Sequence, residues 1–126
     1  MDSLRIGEYI FSVLSGSLDL KGLVGDKIFP LVVKNEVNSP FIVYNRLSLT
    51  PSYTKDCLLE DTVRVEIQCV ANSYSEAINI MCLVRDRLEG LRDKPNGVER
   101  ILIESCTEEY SEDAFIESMI FSIKIQ

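Results

Sequence analysis

Two hydrophobic periods run along the chain, and the switches between them mark its elements. Ile6, Ile10, Val13 and Leu14 recur at helical spacing within residues 4–15, with Phe11 widening the stripe. Gly16-Ser17 interrupts it. Leu18, Leu20, Leu23 and Val24 then predict a short second helix, and Gly25 is a natural stop because glycine accepts the left-handed backbone of a helix end. Residues 27–30 read as a brief extended piece, and residues 35–40 as a polar loop.

The period then changes to two. Phe41, Val43, Leu47 and Leu49 alternate with Ile42, Tyr44, Arg46 and Ser48; after a polar turn, Val63, Val65, Ile67, Cys69 and Ala71 alternate with Thr62, Arg64, Glu66, Gln68 and Asn72. Parity tests the pairing. A two-residue turn at Lys55-Asp56 pairs Thr54 with Cys57 and sets Val43 against Gln68. A three-residue turn pairs Thr54 with Leu58. It sets Phe41 against Ala71, Val43 against Cys69, Leu47 against Val65 and Leu49 against Val63. On the reverse face it puts Arg46 opposite Glu66 and Tyr44 opposite Gln68. The second register gives an apolar face and a charge pair together, so it is the expected one. Pro51 falls near the tip, where an edge or bulge tolerates it. The tip, residues 53–61, projects past the core.

Ser73-Tyr74-Ser75-Glu76 has the form of a capping box. Ala77, Ile80, Met81, Val84, Leu88 and Leu91 follow at helical spacing, and Asp93-Lys94-Pro95-Asn96-Gly97 turns the chain. Residues 98–106 and 115–125 predict two last strands, with Phe115, Met119, Phe121, Ile123 and Ile125 on one face. The loop between them is acidic, with Glu108, Glu109, Glu112 and Asp113. These elements predict an α+β fold: a two-layer domain with a mostly antiparallel or mixed sheet of about four to five strands and two main helices on one face. Ile42, Tyr44, Val70, Ile116 and Ile120 point to the other face. That face is too apolar to stay wet in a monomer, which points to a subunit interface.

The length, 126 residues, fits a single domain spanning 1–126. Thirteen Lys and Arg against twenty Asp and Glu give a net charge of -7. Such a chain gains nothing from counterion release on nucleic acid and has no basic patch for anionic lipid. No apolar stretch approaches the ~20 residues of a membrane span. The start, Met1-Asp2-Ser3-Leu4-Arg5, lacks the basic and apolar regions of a signal peptide.

The chain contains no histidine, which removes Ser-His-Asp and Cys-His hydrolases and His-ligated zinc sites. Cys57, Cys69, Cys82 and Cys106 form no CxxC pair, so zinc-ribbon and thioredoxin-like readings fail. A cytosolic chain with reduced thiols is expected. Cys69 belongs on the hairpin's core face, Cys82 on or beside the buried stripe of the third helix, and Cys57 at the reactive tip. The acidic loop lacks the EF-hand spacing, and Lys94-Pro95-Asn96-Gly97 is no phosphate loop. No catalytic, cofactor-binding or metal constellation emerges. Tyr44, Tyr53, Tyr74 and Tyr110 lie among polar neighbours, where an amphipathic, rigid ring suits an interface.

Four segments in order resemble one family: Leu23-Val24-Gly25-Asp26-Lys27-Ile28-Phe29-Pro30, Pro40-Phe41-Ile42-Val43-Tyr44, Val65-Glu66-Ile67-Gln68 and Ser73-Tyr74-Ser75-Glu76-Ala77. The chain looks like the tail-completion, or tail-terminator, proteins of long-tailed bacteriophages and prophages. The resemblance covers most of residues 5–90, and residues 25–30 are its most specific part. Family members often carry a further proline after the one matching Pro30; here Leu31-Val32-Val33-Lys34 follows.

The resemblance implies a non-enzymatic structural subunit. It would form a ring with copies of itself, a hexamer in the assembled tail, and assembly could wait for the tube end as template. The ring would cap the head-proximal end of the tail tube, stop its growth and join the tail to the head connector, with DNA passing through without specific binding. Its partners would be itself, the tail-tube protein and the head-connector protein, in the host bacterial cytoplasm during assembly and then in the virion tail. Candidate interface residues are Tyr44, the tip residues Tyr53, Thr54, Lys55, Asp56, Leu58 and Leu59, and the acidic residues Glu108, Glu109, Glu112 and Asp113. Two other classes remain open on the residues alone. A generic adaptor or immunity-type α+β module would use the same half-apolar sheet face. An enzyme working by carboxylate or thiol chemistry would need a concave pocket with a perturbed group.

Overall fold

The computed structural model describes residues 1–33, 37–55 and 57–126. Lys34, then Asn35 and Glu36 of the expected polar loop, and Asp56, in the expected turn, lie outside the described residues. A 3-10 turn, Ser3–Arg5, leads into α1 (Ile6–Ser15) and α2 (Leu18–Val24). The strands β1 (Ile28–Pro30), β2 (Phe41–Tyr53) and β3 (Leu58–Ala71) follow, then α3 (Tyr74–Leu88), β4 (Val98–Ser111) and β5 (Ala114–Ile125). The strands form one mixed sheet in the order β1-β2-β3-β5-β4. β1 runs parallel to β2, and the other neighbours are antiparallel. α1 and α3 pack on one face of this sheet, and α2 packs on both of them. The expected α+β, two-layer architecture is what the chain adopts.

Local chemistry sets the helix ends. The Ser17 hydroxyl accepts the Leu20 amide at 3.3 Å and opens α2. The Ser73 hydroxyl accepts the Glu76 amide at 3.2 Å and opens α3. Glu89 leaves the helical backbone and Gly90 follows at φ +79°, a conformation that side-chain-bearing residues rarely adopt. Leu91 therefore falls beyond α3 rather than on its stripe. It still packs against the core, while its carbonyl accepts the Ile101 amide at 3.1 Å.

The core forms where the helical stripes meet the inward row of the sheet. Ile6, Ile10, Leu14, Leu20, Val24, Ile80, Val84 and Leu88 come from the helices, and Val63, Val65, Ile67, Cys69 and Ala71 from β3, all buried. Phe121, Ile123 and Ile125 extend the row on β5, Val98 and Ile101 on β4. The helical stripes are narrower than the pattern implied: Phe11, Leu18 and Leu23 are exposed. Cys82 is also exposed, on the side of α3 that opens on a groove shared with Cys106 of β4.

The hairpin register departs from the single even register expected. Leu49 pairs with Val63 and Ser52 with Glu60, as that register requires. A register shift between Arg46 and Ser48 then adds one residue to β2, and a second lies between Ser52 and Tyr53. Below the first bulge Tyr44 faces Ile67 rather than Gln68, and Arg46 faces Val65 rather than Glu66. Because one inserted residue exchanges the two faces of a strand, Ile42 and Tyr44 turn into the core at 0% and 7% exposure. Phe41 and Val43 turn to the outer face, half-buried, and Leu47 is exposed at the bulge. Arg46 donates instead to the Leu4 carbonyl at 3.2 Å. At the tip the Thr54 amide donates to the Cys57 carbonyl at 2.8 Å, the closure of the two-residue turn. Pro51 needs no bulge of its own, since β1 pairs with β2 only at residues 42–44 and leaves the tip half of β2 as a free edge.

The outer sheet face is divided. At one end Phe29, Phe41, Val43, Val70, Ile116 and Ile120 form a half-buried apolar band, with the Phe29 and Phe41 rings edge to face at 6.3 Å. At the other end Arg64 reaches across β5 to hold Glu104 at 2.9 and 2.7 Å, which lowers the acidity range of that carboxyl. Lys124 pairs with Glu60 at 3.1 Å.

The bulge makes a test. Ile42→Ala removes a fully buried side chain and is expected to cost about 2–5 kcal/mol, whereas Val43→Ala on the outer face should cost less than half as much. Urea denaturation measures both. Equal losses, or a larger loss at Val43, contradict the faces assigned to β2.

Candidate functional site

The acidic residues expected in one loop are split between a strand and a turn. β4 continues to Ser111, so Glu108 and Glu109 lie on the strand, and only Glu112 and Asp113 form the turn, with φ of 52° and 60°. That two-residue hairpin pairs Ser111 with Ala114, Tyr110 with Phe115 and Glu108 with Glu117. Alternation then aims Glu108, Tyr110, Phe115 and Glu117 at the helix layer. α3 begins directly above this end of the sheet. The Tyr74 hydroxyl donates to Glu108 Oε2 at 2.9 Å. The Phe115 ring lies 5.9 Å from Tyr74 and 4.9 Å from Tyr110.

The result is a pocket of about 250 Å³ lined by Tyr74, Glu108, Glu109, Tyr110, Phe115 and Glu117. Glu117 is its buried member at 8% exposure. Its neighbour across the ladder is a second carboxylate, Glu108. Burial first, then Glu108, push the Glu117 carboxyl up to about 7. The Tyr74 hydroxyl is shifted upward by its bond to Glu108. On its other side Glu117 borders a groove shared with Met81, Cys82, Arg85 and Cys106. Aromatic rings and carboxylates around an opening suit a positively charged group, through cation–π attraction and charge pairing. The lining supplies no cation, thiol or histidine to complete a catalytic set.

The other candidates fall elsewhere. Tyr44 is not a surface residue: it packs against Gly7 of α1, and burial and then Glu8 shift its hydroxyl upward. Tyr53 is 67% exposed, Leu58 and Leu59 are each 52% exposed, and Thr54 and Lys55 are exposed. Asp56 lies outside the described residues. Tip and pocket sit at opposite ends of the sheet, since Asp61 pairs with Ile125 while Ala71 pairs with Phe115. Glu117 was missed in the sequence. Its signal is a lone acid between Phe115 and Met119 on the inward parity of β5. Among the described residues no cluster of His, Cys, Asp and Glu is arranged to hold a metal ion, and no helix is long and apolar enough to cross a membrane.

Comparison with known proteins fits this description. The family described as "Tail completion protein gp17" matches residues 8–124, nearly the whole chain. The chain belongs to that family and is thereby a phage tail structural protein. No curated protein sequence matches it. Among solved structures it is similar to a chain in "Virion of native gene transfer agent (GTA) particle". That similarity has a TM-score of 0.78 at 13% identity and covers 92% of this chain and 90% of the other. At that identity the likeness is one of fold.

Two measurements test the site. A carboxyl whose proton is held more tightly in the folded chain than in the unfolded one favours folding when protonated. Stability from Glu117 is therefore full below about 4.5 and is lost as the pH rises towards about 7. Glu117→Gln should raise the melting temperature at pH 8 and leave it nearly unchanged at pH 4.5; no gain at pH 8 contradicts the assigned environment. For the thiols, burial pushes Cys69 up to about 12. Cys57, Cys82 and Cys106 should react with a thiol reagent in the folded protein and Cys69 only on denaturation. A fourth fast equivalent would contradict the burial of β3.

Proposed function

We propose that this chain is the subunit that closes the head-proximal end of the tail tube. It does so as a ring of copies of itself, a hexamer in the assembled tail, without enzymatic activity. The ring ends tube polymerisation and presents a surface to the head connector, and DNA passes through its lumen. The observation that carries this reading is membership of the tail completion family over residues 8–124.

The fold offers what such a subunit needs. A ring requires heterologous contacts, in which one patch meets a different patch on the neighbour. The projecting β2–β3 tip and the pocket at the opposite end of the sheet are two such patches on one chain. The half-buried band around Phe41, Val70 and Ile116 is a third surface suited to burial. Its acidic balance, net charge -7, agrees with a conduit that does not retain DNA.

Deletion of the gene in the parent phage tests the proposal. Tails of abnormal length that fail to join filled heads are expected, with complementation by the intact gene in trans. Tails of normal length that join heads normally would rule it out.

A further inference from the structure

We infer that the pocket between Tyr74, Glu108, Tyr110 and Glu117 receives the Lys55 side chain of a neighbouring copy. The projecting β2–β3 tip of one subunit would then be seated at the β4–β5 end of the next. This rests on the ring reading above and names the contact that closes it.

The site is built for a cation. Its buried acid, Glu117, is 8% exposed and lines the pocket. Its nearest strand neighbour, Glu108, is also a carboxylate, and its walls are the rings of Tyr74, Tyr110 and Phe115. Two carboxylates side by side repel one another when both are ionised, and an incoming ammonium group relieves that repulsion by pairing with them. Aromatic rings attract a cation that meets their faces.

The tip has the complementary chemistry. Lys55 is the only basic residue between Arg46 and Arg64. It is exposed and flanked by the exposed apolar side chains of Tyr53, Leu58 and Leu59. Of the acids at the base of the tip, Glu60 already holds Lys124 at 3.1 Å and Asp61 accepts the Ser3 hydroxyl at 2.6 Å.

Distance excludes pairing within one chain. Asp61 and Ala71 mark the two ends of the β3–β5 ladder, about 33 Å apart at about 3.3 Å per strand residue. The tip lies farther out still, on the side away from the pocket. Lys55 therefore reaches only the pocket of another copy. Such a head-to-tail contact is heterologous, the kind that closes into a ring.

Zero-length carbodiimide coupling tests the contact, on the full-length protein at high concentration and on purified tails. The expected product is an intermolecular peptide joining Lys55 to Glu108, Glu109 or Glu117. Lys55→Arg, which keeps the charge but cannot form the amide, should lose that product and keep the assembly. In native mass spectrometry, Lys55→Glu and Glu108→Lys should each lower the oligomer population at least tenfold, and the double variant should recover most of it. Circular dichroism confirms that each variant folds. Oligomers in which Lys55 joins a carboxylate elsewhere, or joins another tail protein, overturn the inference while leaving the ring reading intact. So does charge reversal without effect on assembly. A chain that is monomeric in solution and present as a single copy in purified tails overturns both.

Discussion

The inward row of β3 is the constraint to which every other part of the domain is referred. Val63, Val65, Ile67, Cys69 and Ala71 alternate without interruption and are all buried. β3 also has long partners on both edges. Its row fixes which side of β5 must be apolar, and through β5 which side of β4. It also gives α3 a floor to pack on. A polar residue in that row would leave both ladders intact and remove the reason for the helices to cover them. The layer order follows from one stretch of period-two sequence more than from any helix propensity.

What could be read in advance follows from how regular each element is. β3 and the buried stripes of α1 and α3 keep their period from end to end, and their faces were legible. The Ser73 cap was legible because its hydroxyl acts within one turn of chain. β2 was not, although its alternation looks clean. The bulge at Leu47 inserts a residue exactly where an apolar side chain sits, so the pattern continues in the letters while the faces exchange in space. Parity arithmetic with one register could not represent a strand that uses both. The acidic residues misled for another reason. Glu108 and Glu109 look like a loop because they are charged, but the strand continues through them, with Glu108 facing Tyr74 at the start of α3. The tip residues were legible as an exposed group. The pocket was not, because Tyr74, Glu108 and Glu117 come from three elements and meet only through the β4–β5 register.

The two ends of the sheet illustrate two ways of handling charge. Where Arg64 meets Glu104, a partly exposed ion pair is satisfied within the chain and is worth little beyond fixing the side chains. Where Glu108 meets Glu117, like charges are brought together and one of them is buried, which a domain selected only for its own stability would avoid. Such local conflicts with an otherwise consistent structure tend to mark places where something else must bind.

The overhang of β2 and β3 past Ile125 has a consequence for motion. Among the described residues of 51–60, the two strands have ladder partners only in each other. A two-stranded ribbon of this kind has little stability of its own, so its amides exchange with solvent through local opening that costs far less than unfolding the domain. The free protein therefore carries a stiff body with a compliant arm. Ordering that arm against a neighbour would cost entropy and lower the affinity of any single contact.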